Sequence, residues 1–420
     1  MKLILYTTLF LYFFIPFQFA LNPADNFDVA IIRVIIILIT LLYFIYALWV
    51  GNFFIPRGWI VGFLLAFLMW TIFSFFYTPI LPWTIRKVIF LLSIAPIVIV
   101  LTALFKNIPS AKIKIIQAAV LGAMIVSLIG IGQFILQFIL PLDTMLQMWS
   151  YITPFFLGGT FSTSVIAHNS WLVHVGTLDL MRAVAFFPDP HIFSFYLGLI
   201  TPLALGIYFV TKQKFWILCF GIMIIANMLT FSRGGYIGIF SGFIIGFILL
   251  WPQIKTSIRH FIVLLLCSLL FVFFIPHNPI ANRLMSSFDH TDTSNTHRIT
   301  LWSDAVTQIT IHPIIGTGLG AYSYIVNPRT DYRTPFYVHN LALDITVELG
   351  MIGLILFYSI FISLLIILYK HRSDFIALFS LISISIFLLH SFFDTPLFSV
   401  HIFPLLLLFI ALGASYENTK

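Results

Sequence analysis

Charge is what this chain has least of. Only 8% of its 420 residues are Asp, Glu, Lys or Arg, where a soluble domain carries about 25%. That deficit excludes a water-soluble fold, and a hydrophobic content of 61% places the chain in a bilayer. Cysteine is nearly as scarce. Cys219 and Cys267 both lie inside apolar runs, so neither a disulfide framework nor a thiolate zinc site can be assembled. Internal repeats and low-complexity tracts are missing. So are the alternating ten-residue segments of a membrane barrel.

What the chain does have is long apolar runs. Each is about 20 residues, enough to cross a hydrocarbon core of ~30 Å. Backbone amides in lipid must bond within their own segment, so the runs are helices. The expected fold is an all-α membrane protein of about twelve transmembrane helices, near 3–21, 29–51, 58–77, 85–105, 115–140, 192–210, 215–231, 235–251, 260–276, 341–369, 374–391 and 396–414. The first run, which follows Lys2, has the outline of a signal peptide. Gln18 stands where cleavage wants a small residue, so the run is read as an uncleaved span. The resulting units are a five-span bundle at 1–140, a first outer segment at 141–191, spans six to nine at 192–276, a large outer loop at 277–339, and the last three spans at 340–420.

Loop charges assign the sides. Lys2, Arg57, Lys106, Lys112, Lys114, Lys212, Lys214, Lys255, Arg259, Lys370, Arg372 and Lys420 fall on one face, which the positive-inside rule makes cytoplasmic. Arg33, Arg86, Lys87, Arg182, Arg233, Arg283, Arg298, Arg329 and Arg333 fall on the other. The net charge of +7 is thus a set of topology signals and not a nucleic-acid surface. The outer face keeps arginine and nearly excludes lysine. Arginine makes forked contacts with phosphate and stays charged at any working pH, so this face can hold an anion. The same arginines can instead pair with the outer acids or snorkel to headgroups. Nearly all the acids share that face, with Asp374 and Glu417 as inner exceptions.

Five outer landmarks stand out. Ser232 can cap the helix that begins at Arg233-Gly234-Gly235, aiming a guanidinium and a helix N-terminus at one spot. Asp189 and Pro190 read as an N-cap and first helical residue, which leaves nearby Arg182 without a structural reason. In the large loop, Ser294 or Thr296 caps a helix that carries Arg298 and Trp302 on one face and stops before His312-Pro313. Gly316-Thr317-Gly318-Leu319-Gly320 then follows a helix instead of leading into one, so it is no nucleotide loop. His339-Asn340 precedes Asp344, Glu348, Gly350 and Gly353. A helix from Asn340 to Tyr369 would be ~45 Å long, too long for one upright span, so His339 to Leu349 is expected as a separate piece at the outer boundary. Last, His390 and Asp394 are spaced to form a hydrogen-bonded pair; with no HExxH or carboxylate cluster, no metal site is expected.

Together these runs resemble the O-antigen ligase and polymerase superfamily. The resemblance rests on Ser232-Arg233-Gly234-Gly235, His297-Arg298-Ile299-x-x-Trp302, His312-Pro313-Ile314-Ile315-Gly316-x-Gly318-Leu319-Gly320 and His339-Asn340 with Gly350-x-x-Gly353. Arg182 with Phe187-x-Asp189-Pro190, and His390-x-x-x-Asp394, flank them. It covers about 180 to 400; the first five spans carry no motif. The resemblance implies a GT-C-like bundle in the bacterial inner membrane with both ends cytoplasmic and a large periplasmic loop between spans nine and ten. It also implies a cofactor-free, metal-independent, inverting glycosyltransferase. Such a protein moves a glycan from undecaprenyl pyrophosphate to an acceptor hydroxyl, on lipid A core or on another glycan. By position, His339 would be the base, Arg233 and Arg298 would bind pyrophosphate with Arg182 as a third ligand, and Asn340, Trp302, Asp189, His390 and Asp394 would support them. Leu354-Ile355 replaces small polar residues common in ligases, so ligase and polymerase both stay open. A flippase for lipid-linked sugars would want ionisable groups within the spans and an internal repeat. A scaffold would not need arginines and a histidine on one face.

Overall fold

The computed structural model describes residues 1–24, 27–167, 170–175, 178–251, 293–332 and 337–417. The expected span at 260–276, together with Lys255, Arg259, Arg283 and Arg333, lies outside these residues.

The protein is overwhelmingly helical. Among the described residues seven helices are long and apolar enough to cross a membrane, and shorter apolar helices accompany them at Lys2–Phe17, Phe215–Met228, Phe375–His390 and Phe403–Glu417. In chain order, α1 is Lys2–Phe14, α2 Ile31–Val50, α3 Trp59–Phe73, α4 Leu81–Ile94, α5 Ile97–Asn107 and α6 Ala111–Leu136. Then come α7 Leu142–Leu157, α8 Gly159–Ala167, α9 Pro190–Thr211, α10 Phe215–Met228 and α11 Arg233–Leu250. After the large loop begins, α12 is Thr293–Ile311, α13 Tyr322–Val326, α14 Leu341–Lys370, α15 Phe375–His390 and α16 Phe403–Glu417. One hydrophobic core runs from Ile4 and Leu11 in α1 to Leu408 and Tyr416 in α16.

Two features depart from the expected pattern. The run at 85–105 is broken at Ala95-Pro96 into α4 and α5, where proline can occupy only a helix start or a kink. The run at 396–414 becomes helical only at Phe403, and the residues before it turn across the end of the bundle. Two short hairpins, β1 (Ala20–Ala24) with β2 (Phe27–Ala30) and β3 (Leu172–Val175) with β4 (Leu178–Met181), were not anticipated.

Cross-element contacts gather at the two ends of the bundle. At one end, Trp59 N–H donates to Glu417 Oε1 at 2.7 Å, Tyr416 O–H donates to Asp374 Oδ2 at 2.6 Å, and Lys112 lies over the Tyr416 ring. The two inner acids are therefore structural. At the other end, Asp28 accepts from Thr160 and Phe161 N–H, and Trp70 Nε1 donates to Leu349 O. In the segment 141–191, Trp149, Phe156 and Trp171 are buried, although Phe155 is exposed.

α11 packs on α15 along Gly234, Gly238, Gly242 and Gly246. A Cβ at Gly238 would stand 3.0 Å from Ile386 O, and one at Gly234 would meet His390 Cδ2 at 2.7 Å. Small residues one turn apart let two helices in lipid approach this closely. That approach sets Arg233, at the start of α11, beside the outer end of α15.

Candidate active site

The site is built where four chain segments meet at one end of the bundle. The first is the strand-to-helix segment 181–189. Its backbone is held by side chains: Gln137 Oε1 accepts from Met181 N–H, and Gln133 Oε1 accepts from both Val184 and Ala185 N–H. Trp149 and Trp171 donate to Ala185 O and Pro188 O. Asp189 caps α9 as expected, accepting from Ile192 N–H at 2.8 Å. Arg182 now has a structural reason. Its Nε donates to Thr230 O at 2.7 Å and its Nη1 to Ser170 O at 3.1 Å, which ties this segment to the turn before α11. The expected third pyrophosphate ligand is buried and engaged with carbonyls.

That turn is the second segment. Ser232 caps α11, with Oγ accepting from Gly235 N–H at 3.3 Å. The same hydroxyl lies 3.1 Å from His191 Nδ1 and 3.4 Å from His390 Nε2. Arg233 opens the helix directly after it and is 9% exposed.

The third segment is α12 with its glycine turn. Thr293–Ile311 is helical, so Ser294 and Thr296 lie within the helix and do not cap it. It ends at Ile311, before His312-Pro313, as expected. Trp302 Nε1 donates to Val338 O at 2.9 Å, and Tyr322 O–H donates to Leu301 O. The helix therefore clamps the residue just before His339. One turn back from Trp302, Arg298 is close enough for its charge to act on both His339 and Asp394. The glycine run serves a different purpose from anion binding. Helix α14 breaks at Gly350 (φ 67°, ψ −173°), as its length demanded. A break leaves carbonyls and amides without intrahelical partners. Thr317 and Gly318 N–H donate to Val347 O and Glu348 O at 2.9 and 2.8 Å, while Met351 N–H donates to Pro313 O at 2.9 Å. The glycine turn thus completes the broken helix.

The fourth segment holds His339. Asn340 caps α14 by accepting from Leu343 N–H, and Asp344 Oδ1 reaches back to accept from Val338 N–H. Leu341 N–H donates to Ser391 O at 2.9 Å, which seats this helix start on the turn after α15. Here the expected pairing is corrected. Asp394 does not pair with His390; its Oδ1 takes His339 Nδ1 at 3.0 Å and its own neighbour Thr395 N–H at 2.8 Å. His390 is instead buried and stacked flat on Phe195, with ring centroids 3.5 Å apart. Helix α15 ends at His390, so Asp394 is not one helical turn further along the same face.

Electrostatics follow from this geometry. Burial of His339 disfavours its charged form, but the hydrogen bond and charge of Asp394 outweigh it, and the imidazole pKa is raised above its ordinary value. Arg298 opposes that rise. Burial pushes the Asp394 carboxyl up, yet His339, His191 and Arg298 together hold it below the usual range. Asp189, half-buried and near Asp394, is raised to about 6 by burial and then by that neighbouring charge. The His339 side chain is 38% exposed and that of Asp394 is 14% exposed, so the imidazole is reachable and its partner is shielded. With the proton on Nδ1 donated to Asp394, Nε2 is the acceptor.

Backbone strain gathers in the same place. Ala185, Phe231 and His339 have φ of 47°, 50° and 54°. Non-glycine residues rarely adopt such values, and each costs ~1–3 kcal/mol unless the surroundings enforce it.

Several members of the site had little sequence signal. His191 lies 4.0 Å from Asp394 Oδ2 and joins Ser232 to the His339 pair. Lys87, counted among the outer cations, is buried in a two-pronged pair with Glu348 at 2.9 and 3.0 Å, with its ammonium over the Phe398 ring. Among the described residues no three His, Cys, Asp or Glu side chains are grouped to hold a metal ion.

Residues 218–358 match the family model described as O-antigen ligase. That segment contains Arg233, Arg298, His339 and Gly350. A Rickettsia prowazekii protein provisionally named a polysaccharide ligase is 34% identical over 144 residues, 32% of this chain and 33% of that protein. A Rickettsia typhi protein of the same provisional name is 37% identical over 91 residues, 20% of this chain and 21% of its own length. A third, from Rickettsia felis, is 38% identical over 76 residues, 16% of this chain and 19% of that protein. The chain thus spans about a third or less of the curated relatives it matches.

Proposed function

We propose that this chain, a member of the O-antigen ligase superfamily by its residues 218–358, is an inverting, metal-independent glycosyltransferase of the ligase type. It crosses the bacterial inner membrane about twelve times in a GT-C-like bundle, with the site facing the periplasm. The donor is a glycan on undecaprenyl pyrophosphate. The acceptor is a hydroxyl of lipid A core or of a related surface glycan. The observation that carries this reading is the exposed His339 imidazole hydrogen-bonded through Nδ1 to the shielded Asp394 carboxylate.

The steps follow from that pair. The pyrophosphate rests against Arg298 and against Arg233 at the N-terminus of α11, where backbone amides and helix dipole favour an anion. His339 Nε2 accepts the proton of the acceptor hydroxyl as its oxygen attacks the anomeric carbon. The bond from that carbon to the phosphate oxygen breaks on the opposite side. Undecaprenyl pyrophosphate leaves with the electron pair, and the arginines stabilise the charge that develops on it. Asp394 fixes the tautomer and stabilises the imidazolium, as the carboxylate does in a Ser-His-Asp triad. Arg182 acts at one remove, by holding the Thr230 carbonyl next to the α11 start. The relatives' names favour the ligase reading over a polymerase.

The test is transfer of labelled glycan from a polyprenyl pyrophosphate donor to added acceptor, in detergent with a chelator present. Wild-type protein is expected to transfer and His339→Ala to lose transfer while still inserting. Full turnover by His339→Ala would remove the base assignment. Movement of donor across vesicles without transfer would replace the enzyme with a transporter.

A further inference from the structure

A second outer feature is not used by this chemistry. The start of α4 and the loop after α13 enclose an open pocket of about 430 Å³, lined by Trp83, Arg86, Tyr324, Thr330, Asp331 and Tyr332 among others. That volume lies within the ~300–1,000 Å³ range of small-molecule sites. The Trp83 ring stands nearly perpendicular to Tyr324 (74°, centroids 6.1 Å apart) and to Tyr332 (70°, 5.6 Å). The rings are therefore walls and not a closed stack. The Arg86 guanidinium lies 4.7 Å over the Tyr332 ring, one helical turn from Trp83. Among the described residues Thr330 Oγ1 is buried with no hydrogen-bond partner, a state that costs free energy unless a ligand or water satisfies it.

These groups select a class of ligand. Aromatic walls suit the apolar C–H face of a ring. One arginine, one carboxylate and one hydroxyl at the edges suit a ligand ringed with neutral hydroxyls. The balance of Arg86 and Asp331 does not suit a pyrophosphate, and the polar rim does not suit a lipid tail.

The pocket is also close to the proposed chemistry. Lys87, next to Arg86, lies 5.8 Å from the Tyr337 ring, and Tyr337 is two residues before His339. A Cβ on Gly320, in the glycine turn, would sit 3.2 Å from Lys87 Cδ and 3.5 Å from the Trp83 backbone.

We propose that this pocket is a saccharide subsite, seating one sugar ring of the glycan against Trp83 while Arg86, Thr330 and Asp331 hydrogen-bond its hydroxyls. The proposal rests on the glycan-transfer reading. The ring belongs either to the acceptor or to the donor's glycan, and the kinetics separate the two.

The probe is an array of lipid-free neutral oligosaccharides, read with full-length His339→Ala protein in detergent. That parent is expected to bind a subset of the array, and adding Trp83→Ala is expected to weaken binding about tenfold. Thr330→Val, nearly isosteric, is the second variant and is expected to weaken binding about threefold. In otherwise wild-type protein, Trp83→Ala should raise KM about tenfold with kcat within about twofold. The rise falls on the acceptor if the acceptor's ring is seated, and on the donor if the donor's is. An unbound parent, or unchanged binding and KM in both variants, overturns the subsite and leaves Trp83 as an aromatic anchor at the membrane interface. Should Trp83→Ala fail to insert, Thr330→Val alone decides. Absence of transfer by wild-type protein would defeat the glycosyltransferase reading, while oligosaccharide binding lost on Trp83→Ala would still support the subsite.

Discussion

His339 Nδ1 and Asp394 Oδ1 are 3.0 Å apart, although one residue precedes α14 and the other follows α15. The two meet because Leu341 N–H is bonded to Ser391 O, which locks one helix start to the other helix's exit turn. A carboxylate in that position orients the ring and leaves Nε2 to face a substrate. In the proposed mechanism it gives His339 the second residue that general-base work needs.

Replacing Asp394 with Asn tests that role. The amide keeps the shape but removes the charge and offers the ring a donor as readily as an acceptor. Transfer by Asp394→Asn is expected to fall ~10²–10⁴-fold, the usual contribution of a positioned acid or base. The initial rate of glycan transfer in detergent measures it. Near-wild-type turnover would show that the pair serves structure alone.

The pH profile carries an independent sign. His339 must be neutral to accept a proton, so kcat/KM rises with pH through the imidazole pKa. Asp394 raises that pKa, which places the rising limb above the ordinary value of ~6.5. In Asp394→Asn, burial and the Arg298 charge remain with only the Asp344 charge against them, so the limb is expected to move to lower pH. The same linkage acts on stability. The pair's contribution is complete between the ordinary carboxylate and imidazole values, ~3.9 and ~6.5, and is lost as pH rises through the raised His339 value or falls through the lowered Asp394 value. Thermal melts of wild-type protein across that range check it.

Gly350 allows the test of a backbone argument. Its φ of 67° and the Ile314 carbonyl oxygen, which an added Cβ would strike, leave no room for a side chain. Gly350→Ala is expected to cost ~1–3 kcal/mol. A lowered melting temperature in detergent, and activity lost through the displaced His339 arm, would report it. An unchanged melting temperature would mean the break in α14 is not enforced.

How far the sequence reached can be argued from these same residues. The break at Gly350 was legible because an unbroken helix would overrun the bilayer. The caps at Asp189 and Ser232 were legible because capping is a local contact between residues three apart. The partner of His339 was not legible. Local spacing points Asp394 at His390, and only the end of α15 at His390 releases the carboxylate toward another segment. Arg182 likewise looked available for an anion because its carbonyl partners, Ser170 and Thr230, sit in other segments. One β hairpin fell between the first two spans and the other inside the long segment at 141–191, where the residues also read as coil.

The Lys87–Glu348 pair joins residues 261 apart in sequence, and it makes the last prediction. Both residues are nearly buried, at 9% and 8% exposed, and the ammonium is gripped by both carboxylate oxygens. Glu348 lies two residues before Gly350, and its carbonyl takes Gly318 N–H, so the pair fixes α4 against the helix break. Removing one partner leaves a buried charge without compensation, a loss of ~3–5 kcal/mol. Lys87→Met and Glu348→Leu are each expected to lower the detergent melting temperature sharply. The double variant leaves no orphan charge and is expected to recover much of that loss, since well-packed apolar replacements of buried pairs are often tolerated. A double-mutant cycle on melting temperature and transfer rate reads the coupling. If the two single losses simply add in the double variant, Lys87 and Glu348 do not act as a pair, and the helix break is anchored instead by α3, through the Trp70 to Leu349 hydrogen bond.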